Sequence, residues 1–456
     1  MKIIIIGDGK IGRAITEECS KEGHDVVVVD KNPAVIEDII KKYDVNGIPG
    51  NGASYTTLKN AGASTAKVVV AATSSDETNV LSCVVAKNLG AKETIARVRD
   101  FEYSKQFELI QKDLKISRII NPELESANEI MRIINFPEAI RVDSFANGAV
   151  DLVELYVPRN NPLCGQSLID IRKNYQIAIL ICSIVRGEEV IIPDGNTKIQ
   201  PGDKISITAQ KGNIRRFLKK LGLIEEKIKS VMIIGGGKIA LYLGNLLVQN
   251  NYSVKIIEKE YERCKELKLM LPQAEIINGD GTNQELLNDE GMKTTDALVC
   301  LTGNDEENII VSMYANSLSN SNKEMKKKII TKVSKSNFAS IVSSIGGISV
   351  IKPSDLIAAQ VISFIRARNN RMGNNIKTLY RLGDEIEAIE FNVVEKSKVV
   401  GKPIRELKKK NDIIIAVIIR GDEVIIPGGD DVIEQLDNVV VITPTSKMLV
   451  DINDIC

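Results

Sequence analysis

A chain of 456 residues, 43% hydrophobic and 26% charged, is too long for one ordinary domain and apolar enough to bury several cores. Its 60 Lys+Arg and 60 Asp+Glu cancel, which removes any bulk electrostatic case for nucleic acid or an anionic membrane surface. Seven scattered cysteines form no C-x-x-C pair and several sit in apolar segments, the pattern of buried reduced thiols in a cytosolic protein rather than of disulfides or a metal site.

The first predicted element is a strand. Ile3 to Ile6 are four isoleucines in a row, as expected of a parallel strand buried on both faces. It runs straight into Gly7-Asp8-Gly9-Lys10-Ile11-Gly12, a G-x-G-x-x-G turn, and then into a segment with Ile11, Ala14, Ile15 and Cys19 at helical spacing. A second apolar run, Val26 to Val29, ends on Asp30. A core strand that opens at residue 3 fits no signal peptide. No run reaches the ~18 apolar residues of a membrane span. The nearest, Ile341 to Ile365, is interrupted by Lys352, Pro353 and Asp355, so a soluble chain is expected.

Each residue type in that opening has a physical job. Gly7 permits the tight turn out of the strand, Gly9 lets the backbone approach a pyrophosphate, and Gly12 lets the helix pack closely on the sheet. The helix start offers free N–H groups and a partial positive charge to phosphates. Asp30 stands where a carboxylate accepts hydrogen bonds from an adenosine ribose and repels a 2′-phosphate. A glycine fingerprint alone is weak. One that follows a strand, opens a helix and has its acid at the right distance predicts a bound adenine dinucleotide, against the reading of a tight αβ turn with no ligand. His24, the single histidine, falls in the loop before the second strand and reads as an exposed loop residue.

Strand and helix keep alternating. Val68 to Thr73 is a fourth-strand candidate, Asp76 to Asn88 a helix, Thr94 to Val98 the next strand, and Ile119-Ile120 a last short one before Pro122. Such alternation predicts a doubly wound parallel sheet, whose crevice lies at the carboxyl ends of the strands. Asn51-Gly52, Thr73-Ser74, Arg97 and Arg99 fall at or near such ends. Singly they read as loop chemistry or solvated charge, and together as ligand or subunit contact.

After Pro158 comes a different, smaller block. It carries Asn161-Pro162-Leu163-Cys164-Gly165, apolar runs at Ile177 to Val185, Val190 to Ile192 and Ile205 to Thr208, and turns at 186–189, 193–195 and Gly202-Asp203. Short runs between turn residues predict a small β-rich α+β domain.

Both blocks return. Ser230 to Ile234 run into Gly235-Gly236-Gly237-Lys238-Ile239-Ala240, and Val254 to Ile257 lead to Glu258. Gly7 to Gly235 and Asp30 to Glu258 share an offset of 228 residues. Gly50-Asn51-Gly52 finds Gly279-Asp280-Gly281, and Thr73 with Asp76 and Asn79 finds Thr302 with Asp305 and Asn308. The small block recurs over 399–443, its octet Val185 to Ile192 matched by Ile419 to Ile426. Agreement of motif, spacing and order indicates a duplication. The run KEMKKK at 323–328 reads as a solvated loop.

The order nucleotide unit, small unit, nucleotide unit, small unit resembles the tandem RCK (KTN) regulatory proteins of bacterial and archaeal potassium-uptake systems. The carriers are GDGKIG with Asp30, AATSSDETN (Ala71 to Asn79), IARVRD (Ile95 to Asp100), NPLCG and their second-half echoes, spread over nearly the whole chain. The resemblance implies two Rossmann-like doubly wound parallel sheets, each followed by a small α+β domain of RCK C-terminal type, at 1–137, 138–225, 226–371 and 372–456. It implies a peripheral cytoplasmic regulator with no catalytic step, at the inner face of the plasma membrane. Its partner would be a separate potassium-translocating membrane subunit of the TrkH/TrkG type, with the regulator a homo-oligomer, usually a tetrameric ring. The implied ligands are NAD⁺/NADH and, as in many relatives, ATP or ADP.

Carried over by position, the implied contacts are Gly7, Asp8, Gly9, Lys10, Ile11, Gly12, Asp30, Asn51, Gly52, Thr73, Ser74 and Arg97 in the first copy. In the second they are Gly235, Gly236, Gly237, Lys238, Ile239, Glu258, Gly279, Asp280 and Thr302. Lys10 and Lys238 read equally well as solvated lysines. The second copy has Lys332 and Ser334 where the first has Arg97 and Arg99, and Ala240 where the first has Gly12. Losing an arginine fork near phosphate removes bidentate contacts, so unequal sites are expected. Two alternatives stay open at this stage, an NAD-dependent oxidoreductase and an RCK regulator of another cation channel or efflux system. No Ser/His/Asp or Cys/His set supports the former.

Overall fold

The computed structural model describes residues 1–104, 106–136, 139–145, 150–187, 189–210, 212–223, 228–321, 327–345, 347–369, 376–382, 386–394, 397–407, 410, 412–421, 423–444, 449 and 451–456. The expected domain joins at 137/138, 225/226 and 371/372, the turn residues Glu188 and Asp422, and 323–326 of the lysine-rich run lie outside the described residues.

In the first block β1 (Lys2–Ile6), β2 (Asp25–Asp30), β3 (Asn46–Pro49), β4 (Val68–Ala71), β5 (Glu93–Arg97) and β6 (Arg118–Ile120) form one parallel sheet, ordered β3-β2-β1-β4-β5-β6. Helices α1 (Lys10–Lys21), α2 (Pro33–Lys42), α3 (Tyr55–Asn60), α4 (Asp76–Leu89), α5 (Phe101–Ser104), α6 (Phe107–Asp113) and α7 (Pro122–Asn135) connect the strands and follow them. The isoleucines of β1 are buried on both faces, which is what excludes an alternating polar pattern. Start signals are local. Asn32 accepts from Ala34 N with Pro33 opening α2, and Ser75 accepts from Thr78 N with Asp76 and Glu77 in the first turn of α4.

The small block that follows holds β7 (Ala139–Phe145), β8 (Val150–Tyr156), α8 (Leu168–Tyr175), β9 (Leu180–Arg186), β10 (Glu189–Ile191), β11 (Lys204–Gln210) and α9 (Asn213–Lys220). Its sheet is antiparallel, ordered β10-β9-β11-β8-β7. A Ser167/Asp170 capping box starts α8.

The second large block repeats the first. Its strands are β12 (Ser230–Ile234), β13 (Ser253–Glu258), β14 (Glu275–Asn278), β15 (Ala297–Cys300), β16 (Lys328–Lys332) and β17 (Ile348–Ile351). The helices are α10 (Lys238–Gln249), α11 (Tyr261–Met270), α12 (Gln284–Asp289), α13 (Asp305–Ser321), α14 (Ser336–Ile345) and α15 (Pro353–Asn369). The parallel order β14-β13-β12-β15-β16-β17 matches the first sheet strand for strand. The last block, with β18 (Ile376–Leu382), β19 (Ile386–Asn392), β20 (Ile414–Arg420), β21 (Glu423–Ile425) and β22 (Asn438–Pro444), is ordered β18-β19-β22-β20-β21, the small sheet again.

Like blocks associate with like. One compact unit holds Met1–Asn135 and Ile228–Ile362, the other Phe136–Lys227 and Ser363–Cys456. In the first unit α7 leaves its own sheet's end to share a core with the second copy, where Ala127, Ile130, Met131 and Ile134 pack among Ala240, Leu241, Leu243, Leu247, Val231 and Ile233. In the second unit the central strands β8, β9, β11, β19, β20 and β22 are buried on both faces. Val153 and Leu155 of β8 face their own block's core, whereas Val150 and Leu152 join Ala388, Ala416, Val440 and Ile442 across a sheet-on-sheet interface.

Two sequence expectations are corrected. His24 is not an exposed loop residue; its side chain retains 10% exposure beside Glu22. Lys327 and Lys328 are not in a solvated loop. Lys328 opens β16, and Lys327 Nζ donates to the Met292 carbonyl, its ammonium pushed down to about 8 by burial. Of the cysteines, Cys19, Cys83, Cys182, Cys264 and Cys300 are buried, Cys164 is half-buried and Cys456 exposed.

Each small domain is locked by one arginine. Arg186 Nε and Nη2 donate to the two Asp203 oxygens at 2.8 and 2.9 Å, and Arg420 meets Asp437 at 3.0 and 2.9 Å in the same way. Asp203 and Asp437 are almost wholly buried. Removing the guanidinium strands a buried carboxylate, so Arg186→Ala is expected to cost about 3 kcal/mol in urea unfolding of the full chain. A loss below about 0.5 kcal/mol contradicts the lock.

Candidate functional site

Strand order reverses between β1 and β4, and the sequence-predicted residues gather at the carboxyl edge of that switch point. Gly7 (φ +90) and Gly12 are sterically required. An added Cβ at Gly7 would lie 2.9 Å from Thr73 backbone, and one at Gly12 only 1.8 Å from the Gly7 carbonyl oxygen. Gly9 differs from both. Its φ of −70 suits any residue, and a Cβ there would meet nothing within 4 Å. No fold requirement of the protein's own calls for glycine at this position. Gly9 is also the N-cap of α1 and provides no side-chain cap, so the first N–H groups of the helix face that open space.

Asp30 braces the turn. Its carboxylate accepts from Asp8 N and from Asn32 N, both at 2.9 Å. The Asp8 side chain points away from the turn's mouth to α1 and α2, where Arg13 donates to it at 2.7 Å and also pairs with Asp38 at 2.9 Å. Ile11 is a core residue and Lys10 is exposed. Asn51 caps its own turn through Ala53 N, and Gly52 passes so close over β1 that a Cβ would lie 2.0 Å from Ile6 Cγ2.

At the end of β4, Thr73 N and Oγ1 donate to Asn79 Oδ1 at 2.8 and 2.7 Å, and Asn79 Nδ2 donates to the Arg97 carbonyl at 2.9 Å. Asp76 accepts from Arg99 N and Asp100 N at 2.8 and 3.0 Å. These two buried side chains, not singled out as site residues in the sequence, carry the strand-end loops. The Arg99 guanidinium donates to the Ser74 carbonyl and lies 3.3 Å from Asp76. Arg97 is two-sided. It lies 3.6 Å from Glu123 at the start of α7, beyond hydrogen-bond reach, and Arg97 Nε and Glu123 Oε2 are buried without a partner among the described residues. Burial lowers the Arg97 pKa and raises that of Glu123.

The second copy repeats the frame. Gly235 (φ +94) crowds Thr302, whereas a Cβ on Gly237 would meet nothing within 4 Å at φ −66. Glu258 accepts from Gly236 N and Glu260 N at 2.6 and 2.7 Å. Asn308 and Asp305 repeat the roles of Asn79 and Asp76. Differences lie in the charges. Lys332 replaces Arg97 and donates to the Thr302 carbonyl at 2.6 Å; Gly236 replaces Asp8. Gly279 abuts Leu286, and Asp280 turns outward to Lys259 at 3.0 Å, its carboxyl pulled down to about 2 by the Thr282 hydroxyl and amide and by Lys259. Ile239 is half-buried and Lys238 exposed.

Two uncapped glycine turns, each braced by a carboxylate and each on a parallel six-stranded sheet with a small antiparallel domain behind it in sequence, define a twofold-repeated RCK-type chain. Family comparison agrees. The TrkA-N domain model matches residues 3–122 and 231–353, and the TrkA-C domain model matches 152–222 and 388–449. The chain belongs to the TrkA family of Trk-system potassium uptake proteins. It is 32% identical to the Trk system potassium uptake protein TrkA of Vibrio alginolyticus over 99% of this chain and 98% of that one. Against the TrkA homolog of Archaeoglobus fulgidus it is 31% identical over 97% of each. In fold it is similar to the GsuK channel bound to NAD (TM-score 0.64, 16% identity, 98% of this chain and 77% of that one) and to the GsuK RCK domain (TM-score 0.62, 16% identity, 98% and 92%). No helix among the described residues is long and apolar enough to cross a membrane.

Burial pushes the Asp8 carboxyl up from 3.8 to about 6, against the pull of Arg13. Its folded value lies above its unfolded one, so its stabilising contribution is full below pH 3.8 and is lost as pH rises through 6. Asp8→Asn is therefore expected to gain most on the wild type at pH 8, with the difference in melting temperature shrinking toward pH 5. A pH-independent difference contradicts this.

Proposed function

We propose that this chain is the nucleotide-sensing regulatory subunit of a Trk-type potassium uptake system. An adenine nucleotide (NAD⁺/NADH, or ATP/ADP) binds at the glycine turns and stabilises one arrangement of the large domains. That arrangement biases a separate potassium-translocating membrane subunit of the TrkH/TrkG type, at the inner face of the plasma membrane. The observation that carries this reading is the free space before Gly9 and again before Gly237, where neither backbone nor packing demands glycine. A pyrophosphate drawn to the uncapped N–H groups would use that space. Asp30 and Glu258 stand where a ribose diol would be held, with Thr73, Ser74 and Arg97, or Thr302, across the crevice. The names of the relatives support the potassium system, and neighbouring channel structures described as bound to NAD and to ADP support the ligand class.

Mechanism here is differential binding with no chemical step. A nucleotide moves the equilibrium only by its affinity difference between two states. Proton transfer near a nicotinamide has no evident agent, since His24 precedes β2 at the amino edge of the sheet, opposite the crevice. The reading includes assembly into a homo-oligomer, as a tetrameric ring; apolar side chains exposed at one matching place in both copies, Leu81 on α4 and Ile310 on α13, support contact with a further subunit.

Calorimetric titration with NADH and with ADP tests the reading. Gly9→Ala and Gly237→Ala are expected to melt within a few degrees of the wild type yet lose about tenfold or more in affinity at the altered turn. Wild-type affinity in both variants contradicts it, as does steady NADH oxidation with a panel of carbonyl substrates. The two turns are also expected to be unequal. NADH should bind differently to Asp30→Ala than to Glu258→Ala, with the Arg97-bearing first turn the tighter. Equal affinities count against that assignment.

A further inference from the structure

Resting on the reading that both turns bind nucleotide, we propose that Tyr242 couples them within one chain, as a strut between the helix of the second turn and the arginine loop of the first. Tyr242 lies in the second turn of α10, five residues beyond Gly237, and is 4% exposed. Its hydroxyl lies 3.1 and 3.3 Å from the Asp100 and Arg99 carbonyls, and it accepts from Asn121 Nδ2 at 2.8 Å. Its ring rests against Phe101, centroids 5.1 Å apart. From there the bonds continue without a gap. The Arg99 and Asp100 amides donate to Asp76, and the Arg99 guanidinium donates to the Ser74 carbonyl at the first crevice. Asn121 Oδ1 caps α7 through Leu124 N at 3.0 Å, and Glu123, in the first turn of α7, faces Arg97.

The Tyr242 link has no twin in the first copy. The place in α1 that corresponds to Tyr242, 228 residues earlier, is Ala14, which has no polar atom to offer. The charges cross the same seam. Lys238 of the second turn favours the ionised Glu123, and Lys10 of the first turn disfavours a charged Lys332. A phosphate that draws Arg97 or Arg99 toward the first crevice therefore pulls on a loop hydrogen-bonded to α10. By linkage, a nucleotide that shifts α10 changes affinity at the first turn by the same factor.

Amide hydrogen exchange with NADH tests this in the full chain carrying Glu258→Ala, so that the first turn is the one filled. NADH is expected to slow exchange at residues 7–16 and, by roughly fivefold or more, in α10. Adding Tyr242→Phe, which keeps the ring, should leave the protection at 7–16 and abolish the response of α10. Asn121→Asp, which keeps the α7 cap and removes the amide donor, should weaken the response in the same direction. An α10 response that survives both substitutions overturns the strut. Protection at neither segment overturns the nucleotide reading and the coupling with it, and so separates the two failures.

Discussion

A strand buried on both faces must turn into a helix here without letting any side chain enter the space before that helix. Everything else at the two sites follows from that constraint. Gly7 and Gly235 take left-handed backbone because the next strand end presses against them, and Gly12 lets α1 lie against the Gly7 carbonyl. A carboxylate from the second strand then holds the turn by its amide, Asp30 through Asp8 N and Glu258 through Gly236 N. Helix N–H groups that a serine or aspartate would ordinarily satisfy are left open at both places. In α2, α3 and α4 of the first domain side-chain caps are present, whereas both glycine turns go without one.

Duplication gave the chain two such turns, and divergence has acted on what surrounds them rather than on the frame. Asn79 and Asn308 each accept from a threonine amide and donate to the carbonyl of the next strand's end, and Asp76 and Asp305 each accept from two successive amides. Charge is where the copies part: Arg97 and Arg99 against Lys332 and Ser334, Asp8 against Gly236. The seam is asymmetric as well. Helix α7 of the first copy buries its apolar stripe against α10 of the second, and the phenol of Tyr242 has no counterpart in α1. A single chain thus carries two versions of one frame, joined through α7 and α10.

Much of this was legible in the sequence because it depends on short-range rules. Isoleucine and valine runs of four, glycines at a strand-to-helix turn and an offset of 228 residues repeated across motifs are all local or periodic signals. Two Rossmann-like parallel sheets, each followed by a small antiparallel sheet, are what the chain forms. The strands β7 and β8 escaped notice. In β8 both faces are covered, one by its own block and one by the other small sheet, so no alternation marks it. Asp76 and Asn79 read as the start of a helix and not as the residues that hold the strand ends, because that role rests on bonds to residues 18 to 24 positions away. Tyr242 could not be found at all by pattern, since its partners lie 121 to 143 residues distant. His24 looked exposed because a turn after a helix usually is.

The most direct measurement of the central claim is potassium flux into vesicles that hold the membrane subunit, with this chain added to the cytoplasmic face and nucleotide titrated. Flux is predicted to change along a saturable curve in nucleotide and to stop responding when Gly9 and Gly237 are both replaced by alanine, with the protein still folded and bound. A flux indifferent to every adenine nucleotide, or one that follows nucleotide equally well in the doubly substituted chain, would contradict it.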